Sequence, residues 1–195
     1  MKETATPQAL AEALVRAIDR YIARNPLQEG LGIEPDLTTL GKYIGGGMSF
    51  GAFGGRTSVM DQFDPRRPGA TPHAGTFNNN VLSMAAGAAG LSKLYTPDVA
   101  RELNARGDRL RARMNAIFAE RGVSLQFIGR GSLMNLQVGT HAIRSVKDLL
   151  PDGNAVKDLF FFHMLEHGVY LARRGFVVLS LPSGEEEIGR LLSAV

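Results

Sequence analysis

An α/β fold built in two parts is predicted for this chain. Helical and strand-like patterns alternate along it, glycines crowd into 41–55, and the composition changes near 121–124. Its 195 residues suffice for one medium domain or two small ones. Hydrophobic residues are 44% and charged residues 21%, values that permit a real core.

Residues 6–24 read as an amphipathic helix. Thr6 can cap it, Pro7 suits its first turn, and Leu10, Leu14, Ala17, Ile18, Tyr21 and Ile22 share a face. Asn25-Pro26 ends it, because a residue before proline is pushed out of the helical region. After the turn Glu34-Pro35-Asp36, residues 37–40 suggest a short strand. Residues 41–55, GKYIGGGMSFGAFGG, read as a loop whose glycines allow positive φ or close backbone approach. A helical turn is expected at 56–63 and a polar, Pro/Gly-rich stretch at 64–80. Helices follow at 81–94 and 97–121, the second with Val99, Leu103, Leu110, Met114, Ile117 and Phe118 at helical spacing. Alternation predicts strands at 123–128 and 132–138, turning at Gly129-Arg130-Gly131. A helix at 154–167, short strands at 169–171 and 176–181, and a closing helix from Gly184 to Leu192 capped by Ser183 complete the reading.

Composition excludes several functions. The net charge is +3 and, although the pI is about 9.4, the basic residues are scattered, which argues against nucleic acid or a membrane surface as partner. With no cysteine there are no disulfides, thiolate metal sites or cysteine nucleophiles. The first thirty residues hold no secretory apolar core, and no apolar run is long enough to span a bilayer, so a soluble cytoplasmic protein is expected. His163 and His167 are four apart on a helix, but no third ligand accompanies them, and no metal is expected.

Lys42 stands at the head of the glycine cluster. A phosphate-cradling Walker loop places its glycines before the lysine and Ser/Thr after it; here the lysine leads and Tyr43 follows. No strand–GxGxxG–helix unit followed by an acid is present either. Spacing alone leaves Lys42 equally readable as a surface lysine beside a flexible loop.

The order of motifs goes further. Residues 35–42 (PDLTTLGK), Ile44-Gly45-Gly46-Gly47, Gly51 through Arg56 (GAFGGR), HAGTFNNN at 73–80 and GVYLARRGFVVLSLP at 168–182 together resemble class III, fold-type I pyridoxal-phosphate aminotransferases, in particular the glutamate-1-semialdehyde aminomutase branch. The resemblance covers roughly 27–195 and implies a remnant of the fold-type I large domain at 27–121 and a small α+β C-terminal domain at 122–195, preceded by the N-terminal amphipathic helix within 1–26. It implies that Lys42 forms an imine with the aldehyde of pyridoxal 5'-phosphate and then moves protons at the substrate α-carbon. Such work needs a neutral amine, which the family secures by burying the lysine beside positive charge. Gly75 and Thr76 match the segment that binds the cofactor phosphate of a neighbouring subunit, which implies a homodimer acting on a small molecule. Arg174, in Arg173-Arg174, is preferred for a substrate carboxylate.

The family's N-terminal half has no counterpart in the match. It carries the glycine-rich phosphate loop, the aromatic ring stacked on the pyridine, and the acid that pairs with the pyridine nitrogen. Asp19 lies too close to Lys42 in sequence to replace that acid and sits on the polar face of its helix. Two other readings therefore stay open. Gly47-Met48-Ser49-Phe50-Gly51 spells the G-x-S-x-G of serine esterases, with Ser49 as nucleophile, Asp152 or Asp158 as acid and His163 or His167 as base. The other reading is a non-catalytic fragment or assembly module.

Overall fold

The computed structural model describes residues 6–23, 28, 31–76, 78, 80–150 and 153–195. The chain divides into two units, Met1–Ala100 and Arg101–Val195.

In the first unit, helix α1 (Pro7–Ala23) starts where Thr6 Oγ1 accepts the Ala9 N–H at 3.2 Å. Leu14 and Ala17 are buried on its apolar face. The side chains of Asp19, Tyr21 and Ile22, and the helix stop at Asn25-Pro26, lie outside the described residues. Strand β1 (Leu37–Gly41) pairs antiparallel with β2 (Gly51–Gly55), Leu37 opposite Gly55 and Gly41 opposite Gly51. The 41–55 segment is thus not a loop throughout: its last five residues are a strand. Glycine suits them because the strand is approached closely; a Cβ on Gly55 would sit 2.1 Å from the Asp36 carbonyl oxygen. A short helix α2 (Thr57–Met60) follows. Helix α3 (Val81–Ala89) is capped by Asn80, whose Oδ1 accepts from Leu82 N at 3.1 Å and Ser83 N at 3.2 Å. The expected helix to 94 widens into a π turn at Gly90–Leu94, closed by Tyr95 N to Gly90 O at 2.7 Å. Leu14, Ala17, Ile44, Ala88 and Leu91 form the core of this unit, with Leu40, Phe50, Ala52 and Met84 packed around them.

In the second unit, helix α4 (Pro97–Glu120, which begins in the first) lays Leu103, Leu110, Met114 and Phe118 into the core. Strands β3 (Leu125–Arg130), β4 (Leu133–Val138) and β5 (Phe176–Val178) form an antiparallel sheet in that order. Phe127, Met134, Leu136 and Val177 face inward from it. Helices α5 (Gly153–Glu166) and α6 (Glu185–Ala194) add Phe160, Met164, Ile188 and Leu191 to the same core. The rings of Phe118, Phe127 and Phe160 pack together, with centroids 5.9–6.1 Å apart.

Three local expectations are corrected. Strand β3 runs through Gly129 and Arg130, so the turn is Gly131-Ser132, with Gly131 at φ 59. Helix α4 secures that turn: Asp108 Oδ1 accepts from Gly131 N at 2.8 Å and Asn104 Oδ1 from Ser132 N at 3.1 Å. Residues 169–171 form no strand, because the N–H groups of Gly168 and Val169 close the end of α5 onto Leu165 and Met164. Gly184 rather than Ser183 caps α6; its N–H donates to Glu187 Oε2 at 2.8 Å, while the Ser183 hydroxyl pairs with Ser180.

Partial burial raises the Asp108 carboxyl, but the Gly131 N–H and the Arg111 guanidinium outweigh it and hold the group below the usual aspartate range. A depressed folded value gives stability that is complete above the unfolded pKa, about 3.9, and is lost as pH falls through the folded value. Asp108→Asn is therefore expected to flatten the acid limb of the unfolding free energy between about pH 5 and 2. Because the side chain is 47% exposed, the difference stays below about 1 kcal/mol. Equal acid limbs in urea titrations of the two proteins would refute this role.

Candidate active site

Strand β1 delivers the backbone to Lys42, which turns left-handed at φ 57 and is the one non-glycine with positive φ among the described residues. An L-residue there is strained by roughly 1–2 kcal/mol. A 3-10 turn, Lys42–Gly45, follows, and Gly46 (φ 61) and Gly47 (φ 91) bring the chain round to β2. The Lys42 side chain is exposed and borders a cavity of about 480 Å³ with Thr39, Leu40, Gly41 and Ile44. The burial that the resemblance implied is not seen among the described residues, which line the cavity only with Thr39, Leu40, Gly41 and Ile44 beside Lys42 itself.

A broader concavity of about 2460 Å³ runs along the β1–β2 hairpin and the 63–78 segment, too large for one small substrate. His73 stands edge-on to Phe53 at 5.2 Å, and Phe63 packs on the same ring at 5.2 Å. Arg56 and Arg67 on its rim are paired with Asp36 at 3.0 Å and Asp61 at 2.7 Å. Gly75 forms a tight turn, its carbonyl accepting Asn78 N at 3.0 Å, and Thr76 is exposed just ahead of the Asn80 cap. Thr76 does not line the Lys42 cavity, so the structure does not join these two predicted residues in one pocket.

The esterase reading is corrected. A nucleophile elbow needs a strand before the serine and a helix after it. Ser49 instead follows a 3-10 turn and leads into strand β2, with its carbonyl held by Ser83 Oγ at 3.0 Å. The proposed acids and bases are otherwise engaged: Asp158 pairs with Arg173 and His163 Nε2 bonds the Ala194 carbonyl at 2.9 Å, while His167 Nδ1 bonds the His163 carbonyl. Asp152 lies outside the described residues. No group of three or more metal-ligating side chains occurs among the described residues.

Geometry separates the two arginines. Arg173 makes a two-pronged bond to Asp158, both contacts at 2.7 Å, which lowers the Asp158 carboxyl and raises the guanidinium. Arg174 has no carboxylate partner among the described residues; its guanidinium lies 5.6 Å over the Phe176 ring. Its carbonyl accepts from Asn135, the near end of a hydrogen-bond chain through Gln137 to Lys157. Burial pushes the Lys157 amine down.

One feature of the site was not foreseen. Residues 44–49 lie directly against α3 through Gly46, Ser83 and Gly87. Ser83 and Gly87 are four residues apart in the helical pattern, the spacing of one face, and that was the signal available.

Residues 27–183, which include Lys42, Thr76 and Arg174, match the model of the aminotransferase class-III family. The chain belongs to this family. It is 50% identical over 195 residues to a β-phenylalanine transaminase of Variovorax paradoxus, which is 100% of this chain and 45% of that protein. The crystal structure of a β-phenylalanine aminotransferase from that organism superimposes with a TM-score of 0.81 and 56% identity over 86% of this chain and 39% of the other. A glutamate-1-semialdehyde 2,1-aminomutase of Methanosarcina acetivorans is 36% identical over 176 residues, 89% of this chain and 41% of that protein. A transaminase solved with pyridoxal phosphate bound gives a TM-score of 0.71 at 33% identity, over 86% of this chain and 38% of the other.

The chain thus spans less than half the length of these relatives. Its α/β architecture is that of part of a fold-type I transaminase, and the cofactor of such class III enzymes is pyridoxal phosphate. The residues present fit that group in part: a free amine borders a cavity of suitable size, while among the described residues no carboxylate lines it to face a ring nitrogen. No helix among the described residues is long and apolar enough to cross a membrane.

Proposed function

We propose that this chain supplies the lysine-bearing part of a pyridoxal-phosphate-dependent aminotransferase or aminomutase acting on a small amino or keto compound, as a cytoplasmic homodimer. The observation that carries the reading is Lys42 itself: a strained, left-handed lysine at the exit of β1, beside a cavity, inside the segment that matches the family. The proposed division is a helix at 1–26, a large-domain portion at 27–121 and a small domain at 122–195.

Pyridoxal phosphate, when bound, supplies an aldehyde and an electron-withdrawing ring. Lys42 would hold the cofactor through its amine and, once freed by the substrate amine, would take and return the proton at the substrate α-carbon. Gly75 and Thr76 offer backbone N–H and hydroxyl donors to phosphate oxygens. Since Thr76 is exposed and outside the Lys42 cavity, it would serve the site of a second copy; the open side of Lys42 is where that copy, or further chain, would exclude water.

Adding pyridoxal phosphate, fixing the adduct with borohydride and mapping the labelled peptide tests the reading. Label at Lys42 in a particle of dimeric mass is expected; label elsewhere, or none, would overturn it. Arg174 is the proposed carboxylate ligand, because Arg173 is committed to Asp158. Arg174→Ala is expected to weaken KM for a carboxylate-bearing amine by roughly 10- to 100-fold, the worth of a charged hydrogen bond, while Arg173→Ala leaves KM near wild type. The reverse ranking would reassign the role.

A further inference from the structure

Helix α3 presents Ser83, Ala86 and Gly87 on one face, at i, i+3 and i+4, and Gly90 at the start of the π turn continues it, toward the segment that follows Lys42. The Ser83 hydroxyl, in a residue only 5% exposed, donates to the Ser49 carbonyl at 3.0 Å. A Cβ on Gly87 would lie 2.6 Å from the Ile44 carbonyl oxygen and 3.0 Å from Leu14 Cδ1. A Cβ on Gly46 would lie 2.6 Å from the Ala86 carbonyl oxygen. Helix and turn therefore meet backbone to backbone, with no flexible side chain between them to absorb an error. Ile44 is itself 1% exposed, fixed between α1 and α3 two residues after Lys42.

A strained φ persists only where its surroundings over-determine it. We propose that Gly87 and Ser83 are positioning residues: they seat the 44–49 turn on α3 and thereby hold Lys42 left-handed, aiming its amine at the cofactor aldehyde. The proposal rests on the aminotransferase reading for its chemistry, though the seat exists without cofactor. A methyl at Gly87 must push Ile44, and the turn with it, by on the order of 1 Å, a misplacement that typically slows a positioned reaction about 100-fold.

The test uses the full chain with Gly87→Ala and Ser83→Ala, and Gly189→Ala as control. Gly189 lies within a helix with open space at its Cβ, so it gains the same helix propensity without a clash. Three quantities are read: the rate at which Lys42 captures pyridoxal phosphate, trapped by borohydride; the affinity for pyridoxamine phosphate, which has no aldehyde; and hydrogen exchange of 41–50 without cofactor. Gly87→Ala is expected to slow capture about 100-fold, keep pyridoxamine phosphate affinity within about twofold, and speed exchange in 41–50 alone. Ser83→Ala, which removes one hydrogen bond and adds no clash, is expected to slow capture about fivefold. Wild-type capture and exchange in both variants would overturn the proposal, as would parallel loss of capture, pyridoxamine phosphate affinity and protection throughout the first unit. If the wild-type chain captures no cofactor, the aminotransferase reading falls; the seat then stands or falls on whether Gly87→Ala loosens 41–50.

Discussion

Lys42→Ala is expected to abolish borohydride-fixed cofactor and to reduce amine transfer by about 10⁴-fold or more, since it removes both the nucleophile and the proton carrier. Pyridoxamine phosphate should still bind, because it forms no bond to the lysine, and an unchanged far-ultraviolet spectrum would show that the overall secondary structure is retained. Lys42→Arg separates charge from nucleophilicity: it restores a cation at the same position but is expected to remain inactive. Residual capture in either variant would mean that another amine does the work. Lys93, on the π turn, and Lys157, beside Gln137, are the competing lysines to map first.

The largest effect on stability is expected at Phe127. Phe127 is 2% exposed, its ring packs against both Phe118 and Phe160, and its backbone N–H and carbonyl are both bonded to the Asn115 side chain, at 2.7 and 3.0 Å. Phe127→Ala leaves a cavity bounded by a helix and a sheet that other contacts already tether, so little collapse can fill it. A loss of about 3–5 kcal/mol in denaturant unfolding follows. Phe127→Leu, which keeps most of the volume, should cost about 1.5 kcal/mol or less. A loss under about 1 kcal/mol for the alanine variant would mean that the ring cluster repacks and that the sheet is anchored elsewhere.

Much of the fold was readable wherever side chains report on burial. The apolar spacing of α1 and of α4, and the alternation in β3 and β4, carried those elements to within a few residues. Strand β2 was not readable, because Gly51, Gly54 and Gly55 have no side chains to alternate; pairing with β1 defines it. The π turn after α3 is closed by a single backbone bond, Tyr95 N to Gly90 O, which no residue pattern encodes. At the site, spacing alone left Lys42 ambiguous, and an ordered set of family motifs singled it out as the candidate. The pairing of Arg173 with Asp158, fifteen residues away in sequence, is a tertiary contact that no local pattern encodes. Ser49 matched a local pattern whose meaning depended on the elements flanking it, and those were a 3-10 turn and a strand.

The backbone angle at residue 42 has an evolutionary corollary. Glycine would relax that angle at once, so any lineage in which the amine had fallen idle would drift toward glycine or asparagine there, gaining stability with nothing to lose. Resurrected ancestors or random libraries screened only for thermal resistance would be expected to discard the lysine first.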